Sequence, residues 1–204
     1  PNMGSSSQKN SDGSQDDEMV PPESDTSNDS ETEDDNEQED AAEEPEPEVD
    51  FSEICHEDVS GWDPQWALVE EQVLDLVNEI RALGTNCGEY GDLPPAGPVE
   101  LDPHLSCSAR YHSIWMNQTD TFDHDSPGGD LGDDPWQRIA ATDFSGYPTG
   151  ENIAWGYGSA QDVMNGWLSS DGHCANIMMQ GANVIGMGFH GTSRYWTQNF
   201  GWID

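Results

Sequence analysis

The strongest constraint on this chain is a change of composition near residue 50. From Pro1 to Asp50 the residues are almost all Ser, Asp, Glu, Asn, Gln and Pro, as in SDTSNDSETEDDNEQEDAAEEPEPEVD. Such a segment buries too little apolar surface to offset its ordering entropy, and its like charges push it towards extension. Residues 1–50 are therefore expected to form a disordered acidic tether, with an acidic arm that collects calcium or a partner as the alternative. Folding is left to residues 51–204. All 8 tryptophans fall from Trp62 onward, and roughly 150 residues suffice for one domain with a sizeable core.

The chain carries 42 Asp plus Glu against 5 Lys plus Arg, a formal net charge of -37. Nucleic acid or an anionic membrane would meet like charge over most of the surface, so no nucleic-acid partner is expected. No run of about 18 apolar residues exists to form a transmembrane segment. A start at Pro1 is compatible with a signal peptide or lipid anchor ahead of it, and the acidic tail would then serve as a surface tether. The cysteines are Cys55, Cys87, Cys107 and Cys174. An even count fits an exported protein with two disulfides, although four buried thiols in a cytosolic chain would look the same. None of them stands at the C-x2-C spacing of a zinc knuckle.

Asp63 and Pro64 make a cap-and-proline start, and Trp66, Val69, Val73, Leu76, Val77 and Ile80 follow at helical steps until Gly84. Asp102 and Pro103 repeat the signature for a second helix through Leu105, Ala109, His112 and Met116. His112 thus falls on an apolar stripe, where a satisfied core histidine is the expectation. The acid-rich loop TFDHDSPGGDLGDDPWQRI carries His124 and leads to a short helix at Pro135. Asp123, Asp125 and Asp134 match three positions of a calcium loop, but Pro127 stands where an oxygen donor belongs, so a polar turn capped by Asp side chains is the better reading. Val184 to His190 and Tyr195 to Phe200 read as a closing hairpin. Helices first and strands last give an α+β class, with helices packed on a small antiparallel sheet.

The chemistry concentrates between Gly150 and Met178. Glu151 precedes an amphipathic helix that Ser159 and Asp162 cap, and His173 follows it on a Gly-preceded turn into another short helix. Two loops would thus deliver a carboxylate and an imidazole at a separation fixed by one helix. Such a pair binds a metal or moves a proton; equally, Glu151 caps backbone amides and His173 starts a helix. The triplet Asn117, Gln118, Thr119 matches a glycosylation acceptor.

Taken together, VNEIRALG, the FDH loop, GENIAWG, the W-x-x-S-x-G-H-x-x-NIM run, IGMGF and YWTQNFG resemble the CAP superfamily, also called the SCP or cysteine-rich secretory, antigen 5 and pathogenesis-related 1 domain. The NCG, LPPAGP and GHCANIM phrases are most similar to its bacterial exported branch. The resemblance covers Trp62 to the C-terminus and implies a three-layer α-β-α sandwich with an open groove. In animal and plant members of the family the groove floor holds two histidines and two acids, and in several it can bind a divalent metal such as zinc. Here the matching positions are His124, Glu151 and His173, while the second acid is replaced by Ser170.

The resemblance therefore implies a binding groove of His124, Glu151, Ser170 and His173 for a lipid, glycan or peptide, in a secreted or cell-surface monomer. A metal site of His124, His173 and Glu151 would hold Zn2+ or another divalent cation weakly, since one carboxylate is missing. A metal-assisted or serine-type hydrolase is the alternative, with Glu151, His173 and Ser170, or with Ser113 as nucleophile and His124 or His173 as base. No G-x-S-x-G elbow supports it, and binding without catalysis is the preferred expectation. The bacterial-type phrases also imply a Cys87–Cys174 disulfide, which leaves Cys55 with Cys107.

Overall fold

The computed structural model describes residues 55–204, and the tether expected at residues 1–50 lies outside the described residues. The first long helix, α1, spans Pro64–Leu83; β1 (Thr85–Asn86), β2 (Asp92–Leu93) and β3 (Glu100–Leu101) follow, and then α2 at Pro103–Thr119. Next come α3 (Pro135–Ala140), β4 (Tyr147–Trp155), α4 (Ala160–Leu168), α5 (Asp171–Ile177), β5 (Val184–His190) and β6 (Tyr195–Trp202).

Three helices begin on the same chemistry. Asp63 accepts from the Gln65 amide at 2.8 Å, Asp102 from Leu105 at 2.8 Å and Asp134 from Gln137 at 2.9 Å, each with proline in the first turn. Each carboxylate satisfies an amide that has no partner within its helix. Asp134 is therefore a cap. In the same loop Asp123 accepts from the Asp125 amide at 3.1 Å and Asp133 from Gly128 at 2.8 Å, so these acids build turns.

The main sheet has the order β3-β5-β6-β4, with β5–β6 and β6–β4 antiparallel and the two-residue β3 parallel to β5. The closing hairpin forms as the sequence predicts, with β6 running two residues further to Trp202. β4 is the strand that pattern reading overlooks, because Gly150 to Ala154 are buried without alternation. A strand covered on both faces has no period of two to detect. Glu151 thus stands on a strand rather than on a loop.

One face of the sheet receives α2 at very short range. A side chain at Gly186 would overlap the backbone of Leu105, and one at Gly188 the backbone of Ala109. The opposite face carries the larger core, where Ile185, Met187, Trp196 and Phe200 pack with Val73 and Val77 of α1, Met164 and Trp167 of α4, and Ile177 of α5. Helix, sheet and helices make the expected three-layer α-β-α sandwich. Disulfides join Cys55 to Cys107 and Cys87 to Cys174, both pairings that the resemblance implied.

β4 is an edge strand, and two of its outward carbonyls are covered by side chains. Trp167 Nε1 donates to Ile153 O at 3.2 Å, and Asn176 Nδ2 donates to Glu151 O at 3.3 Å. Two internal cations finish the framework. The fully buried Arg81 donates to the carbonyls of Gly97, Ile177, Met179 and Ala182 at 2.7 to 3.0 Å, clamping the end of α5 to the loop after β2. Arg110 pairs with Glu70 at 2.6 Å. Burial raises the Glu70 pKa to about 7, while Arg110, the Phe189 amide and the Trp62 indole oppose that rise.

Candidate functional site

His124 is held in place through the backbone on both sides of its ring. His112 Nε2 donates to Asp123 O at 2.9 Å, and Arg138 Nη1 donates to His124 O at 2.9 Å and to Ser126 Oγ at 2.7 Å. His112 is thus a core histidine, as its stripe position predicts, but only half satisfied, since its buried Nδ1 has no hydrogen-bond partner among the described residues. Burial, helped by the charge of Arg138, lowers its pKa to about 4, which keeps the ring neutral and Nε2 a donor.

Glu151 faces Asn199 across the β4–β6 ladder. Its Oε1 lies 2.8 Å from His124 Nδ1, and its Oε2 accepts from Arg138 Nη2 at 2.8 Å. With its amide nitrogen turned to Glu151, Asn199 donates to Oε2 at 3.0 Å and accepts from Ser108 Oγ and the Ala109 amide. The reverse orientation would set the amide oxygen against the carboxylate. The Glu151 side chain is 3% exposed and that of Arg138 0%, whereas His124 is 47% exposed. A buried arginine and a buried carboxylate therefore support one accessible imidazole. The hydrogen bond to Glu151 raises the His124 pKa against the opposing effect of burial.

His173 is the third residue of α5 and half-buried. Its carbonyl accepts from Asn152 Nδ2 at 3.2 Å, and Asn152 is bonded in turn to Gln198 and Asn176. Burial lowers the His173 pKa, and the charge of His124 lowers it further. The two imidazoles are pushed in opposite directions, so near neutral pH His173 is neutral while His124 more readily holds a proton.

A cleft of about 510 Å3 opens between them, bounded by Tyr90, Met179, Ala175 and Asn176 as well as by His124, Glu151, Ser170 and His173. All four site residues expected from sequence therefore line one cleft. The Cys87–Cys174 disulfide ties its two walls together, because Cys87 precedes the turn that carries Tyr90 and Cys174 follows His173. The Glu89 amide adds a 2.9 Å bond to Asp171 at the start of α5.

The serines do not form a nucleophilic pair with either imidazole. Ser113 is buried under the sheet, donating to Gly188 O at 2.9 Å and bonded to Thr197 Oγ1 at 3.0 Å. Ser170 sits at the N-cap of α5, and its side chain makes no capping bond. Sequence reasoning missed Arg138, Asn199, Asn152 and Asn176. A signal for Arg138 was present: the chain has only 5 basic residues, and this one lies in the PWQRI segment beside the His124 loop.

The donor set permits only a sparse metal site. Among the described residues no group of three or more His, Cys, Asp or Glu side chains is arranged to hold an ion. Both Glu151 oxygens already accept hydrogen bonds, which sets the carboxylate behind His124, where it orients the ring and leaves Nε2 available.

An α-β-α sandwich with an imidazole pair at the sheet edge, one imidazole backed by an internal acid, defines a recognisable class of domain. The model of the cysteine-rich secretory protein family, CAP, matches residues 74–200, and the chain belongs to that family. It is 35% identical over 103 residues to the uncharacterized protein YkwD of Bacillus subtilis, covering 50% of this chain and 39% of that one. It is 30% identical over 143 residues to the uncharacterized membrane protein YlbC of the same organism, covering 68% and 37%. The chain thus spans well under half the length of either relative. Among solved structures it resembles an extracellular protein containing an SCP domain from Bacillus anthracis, with a TM-score of 0.57 and 27% identity over 67% of this chain and 41% of that one. Among the described residues no helix is long and apolar enough to cross a membrane.

Proposed function

We propose that this domain is an exported binding module whose cleft grips an oxygen-bearing group of a lipid, glycan or peptide between His124 and His173. The observation that carries this reading is the engagement of both Glu151 oxygens by His124 and Arg138. A carboxylate so committed orients an imidazole and stabilises its charge; it is not poised to abstract a proton from water. When protonated, His124 presents Nε2–H to an acceptor, while neutral His173 offers a second polar contact. Two disulfides support an oxidising compartment, and the B. anthracis structure that the chain resembles is described as extracellular.

The same two imidazoles, through Nε2 of a neutral His124 and the ring of His173, would hold a divalent ion such as Zn2+ weakly, with Glu151 behind His124. Such an ion would supply Lewis-acid polarisation of a ligand oxygen. The hydrolytic alternative has no comparable support, since Ser113 is committed to the sheet and Ser170 bonds to no histidine. Native mass spectrometry of protein from its own host, and of a His124→Ala, His173→Ala variant, tests the reading. A ligand or Zn2+ retained by the wild type and lost by the variant is expected. Equal retention by both, or retention by neither, removes this cleft as the binding site.

A further inference from the structure

A second cleft, of about 280 Å3, lies between the start of α1, the end of α2 and the β5–β6 turn, and it shares no lining residue with the first. Its apolar wall is an indole corner, with the rings of Trp62 and Trp66 edge to face at 5.2 Å. Both rings are fixed from behind. Trp62 Nε1 donates to the buried Glu70 at 3.0 Å, and the Arg110 guanidinium lies 5.1 Å from its ring. Trp66 packs on the His190 ring at 4.8 Å and against Gly191, where any side chain would overlap the indole. The rim is polar: the Asn117 and Gln118 amides have no bonding partner among the described residues, and Asp58 adds a carboxylate. His190 Nδ1 is occupied by Ser193 Oγ at 2.8 Å, which leaves Nε2, and burial keeps this imidazole neutral.

We propose that this cleft binds an uncharged saccharide unit. A rigid indole offers a flat apolar face for the C–H face of a sugar ring at little entropic cost. Each carboxamide carries a donor pair and an acceptor, and with the carboxylate and imidazole they match the alternating donors and acceptors of neighbouring hydroxyls. The volume falls just below the ~300–1,000 Å3 of ordinary small-ligand pockets, as suits a short glycan segment rather than a large hydrophobe. No Lys or Arg lines the cleft while two aspartates do, which disfavours anionic sugars. An organic cation would use the rings and the carboxylates but would leave both carboxamides unpaired.

The test is titration of the full chain with uncharged glucose, mannose and N-acetylglucosamine tetramers and, separately, with tetramethylammonium, followed by the indole and side-chain amide signals in 15N–1H spectra. The expected result is saturable movement of the Trp62, Trp66, Asn117 and Gln118 signals with at least one tetramer. Its Kd should weaken at least tenfold in the surface variant Asn117→Ala, Gln118→Ala and stay unchanged in His124→Ala, His173→Ala. The first pair is exposed or half-exposed, so its loss leaves the core intact. Silence towards all three tetramers, equal affinity in the amide variant, or movement with tetramethylammonium alone overturns the proposal. The outcome at the first cleft is independent of all of these.

Discussion

Arg138 Nη2 and Glu151 Oε2 lie 2.8 Å apart with both side chains buried. The pair joins a short helix to the edge strand and so fixes the distance between the His124 loop and the sheet. Breaking it from one side leaves a buried charge without its partner. Arg138→Met is expected to lose about 3–5 kcal/mol of stability, and Arg138→Met with Glu151→Gln to recover part of that loss. Urea denaturation of the single and double variants checks this; a single variant as stable as the double would refute the coupling.

The buried histidine and the accessible one respond to acid with opposite signs. His112 titrates at about 4 in the fold against 6.5 when unfolded, so the unfolded chain binds more protons between these values. Stability should therefore fall as pH drops from 6.5 towards 4, by about 3 kcal/mol in all, and level off below. His112→Gln, which keeps a donor for Asp123 O, should flatten this slope. A slope unchanged in that variant would show that another group carries it.

The folded pKa of His124 is raised, so its pairing with Glu151 contributes stability below the unfolded value that is lost as pH rises through the folded one. In an NMR titration His124 should have its midpoint above, and His173 below, the ordinary histidine value. Glu151→Gln should bring the His124 midpoint down. Identical midpoints for the two rings in the wild type would contradict the geometry.

The short approach of α2 to the sheet depends on two hydrogens where other residues have side chains. Gly188→Ala would drive a methyl group into the Ala109 backbone, and overpacking of this kind costs about 1–3 kcal/mol. Gly172→Ala, which meets open space beside His173, serves as a control with little effect. Thermal denaturation of the two variants should rank them accordingly.

Replacing both Cys87 and Cys174 with alanine is expected to cost about 2–5 kcal/mol. It should also release the Tyr90 wall of the cleft from the α5 wall that carries His173. Faster amide exchange over residues 86–92 and 170–176, with the rest of the domain protected, would distinguish local release from general unfolding.

Much of this fold was legible in the sequence because local chemistry and packing agree. The Asp-Pro starts at Asp63, Asp102 and Asp134, the Ser159 cap and the closing hairpin all announce themselves within a few residues. The positions His124, Glu151, Ser170 and His173 were legible as a set only through the ordered family motifs, since nothing local brings residue 124 to residue 151. What stayed hidden depends on distant partners. β4 lacks alternation because both its faces are covered. Arg138 acquires its role only when its three bonding partners, His124 O, Ser126 Oγ and Glu151 Oε2, are brought round it by the fold. A chain with so few cations places three of its four folded arginines, Arg81, Arg110 and Arg138, inside the protein.

The indole of Trp167 and the amide of Asn176 have a consequence beyond their own hydrogen bonds. By occupying the Ile153 and Glu151 carbonyls they blunt the one long strand whose outer side would otherwise be open to pairing. A second strand approaching this edge would have to displace both side chains before it could pair at Glu151 and Ile153. The edge beside the two imidazoles therefore presents side chains in place of two of its backbone acceptors.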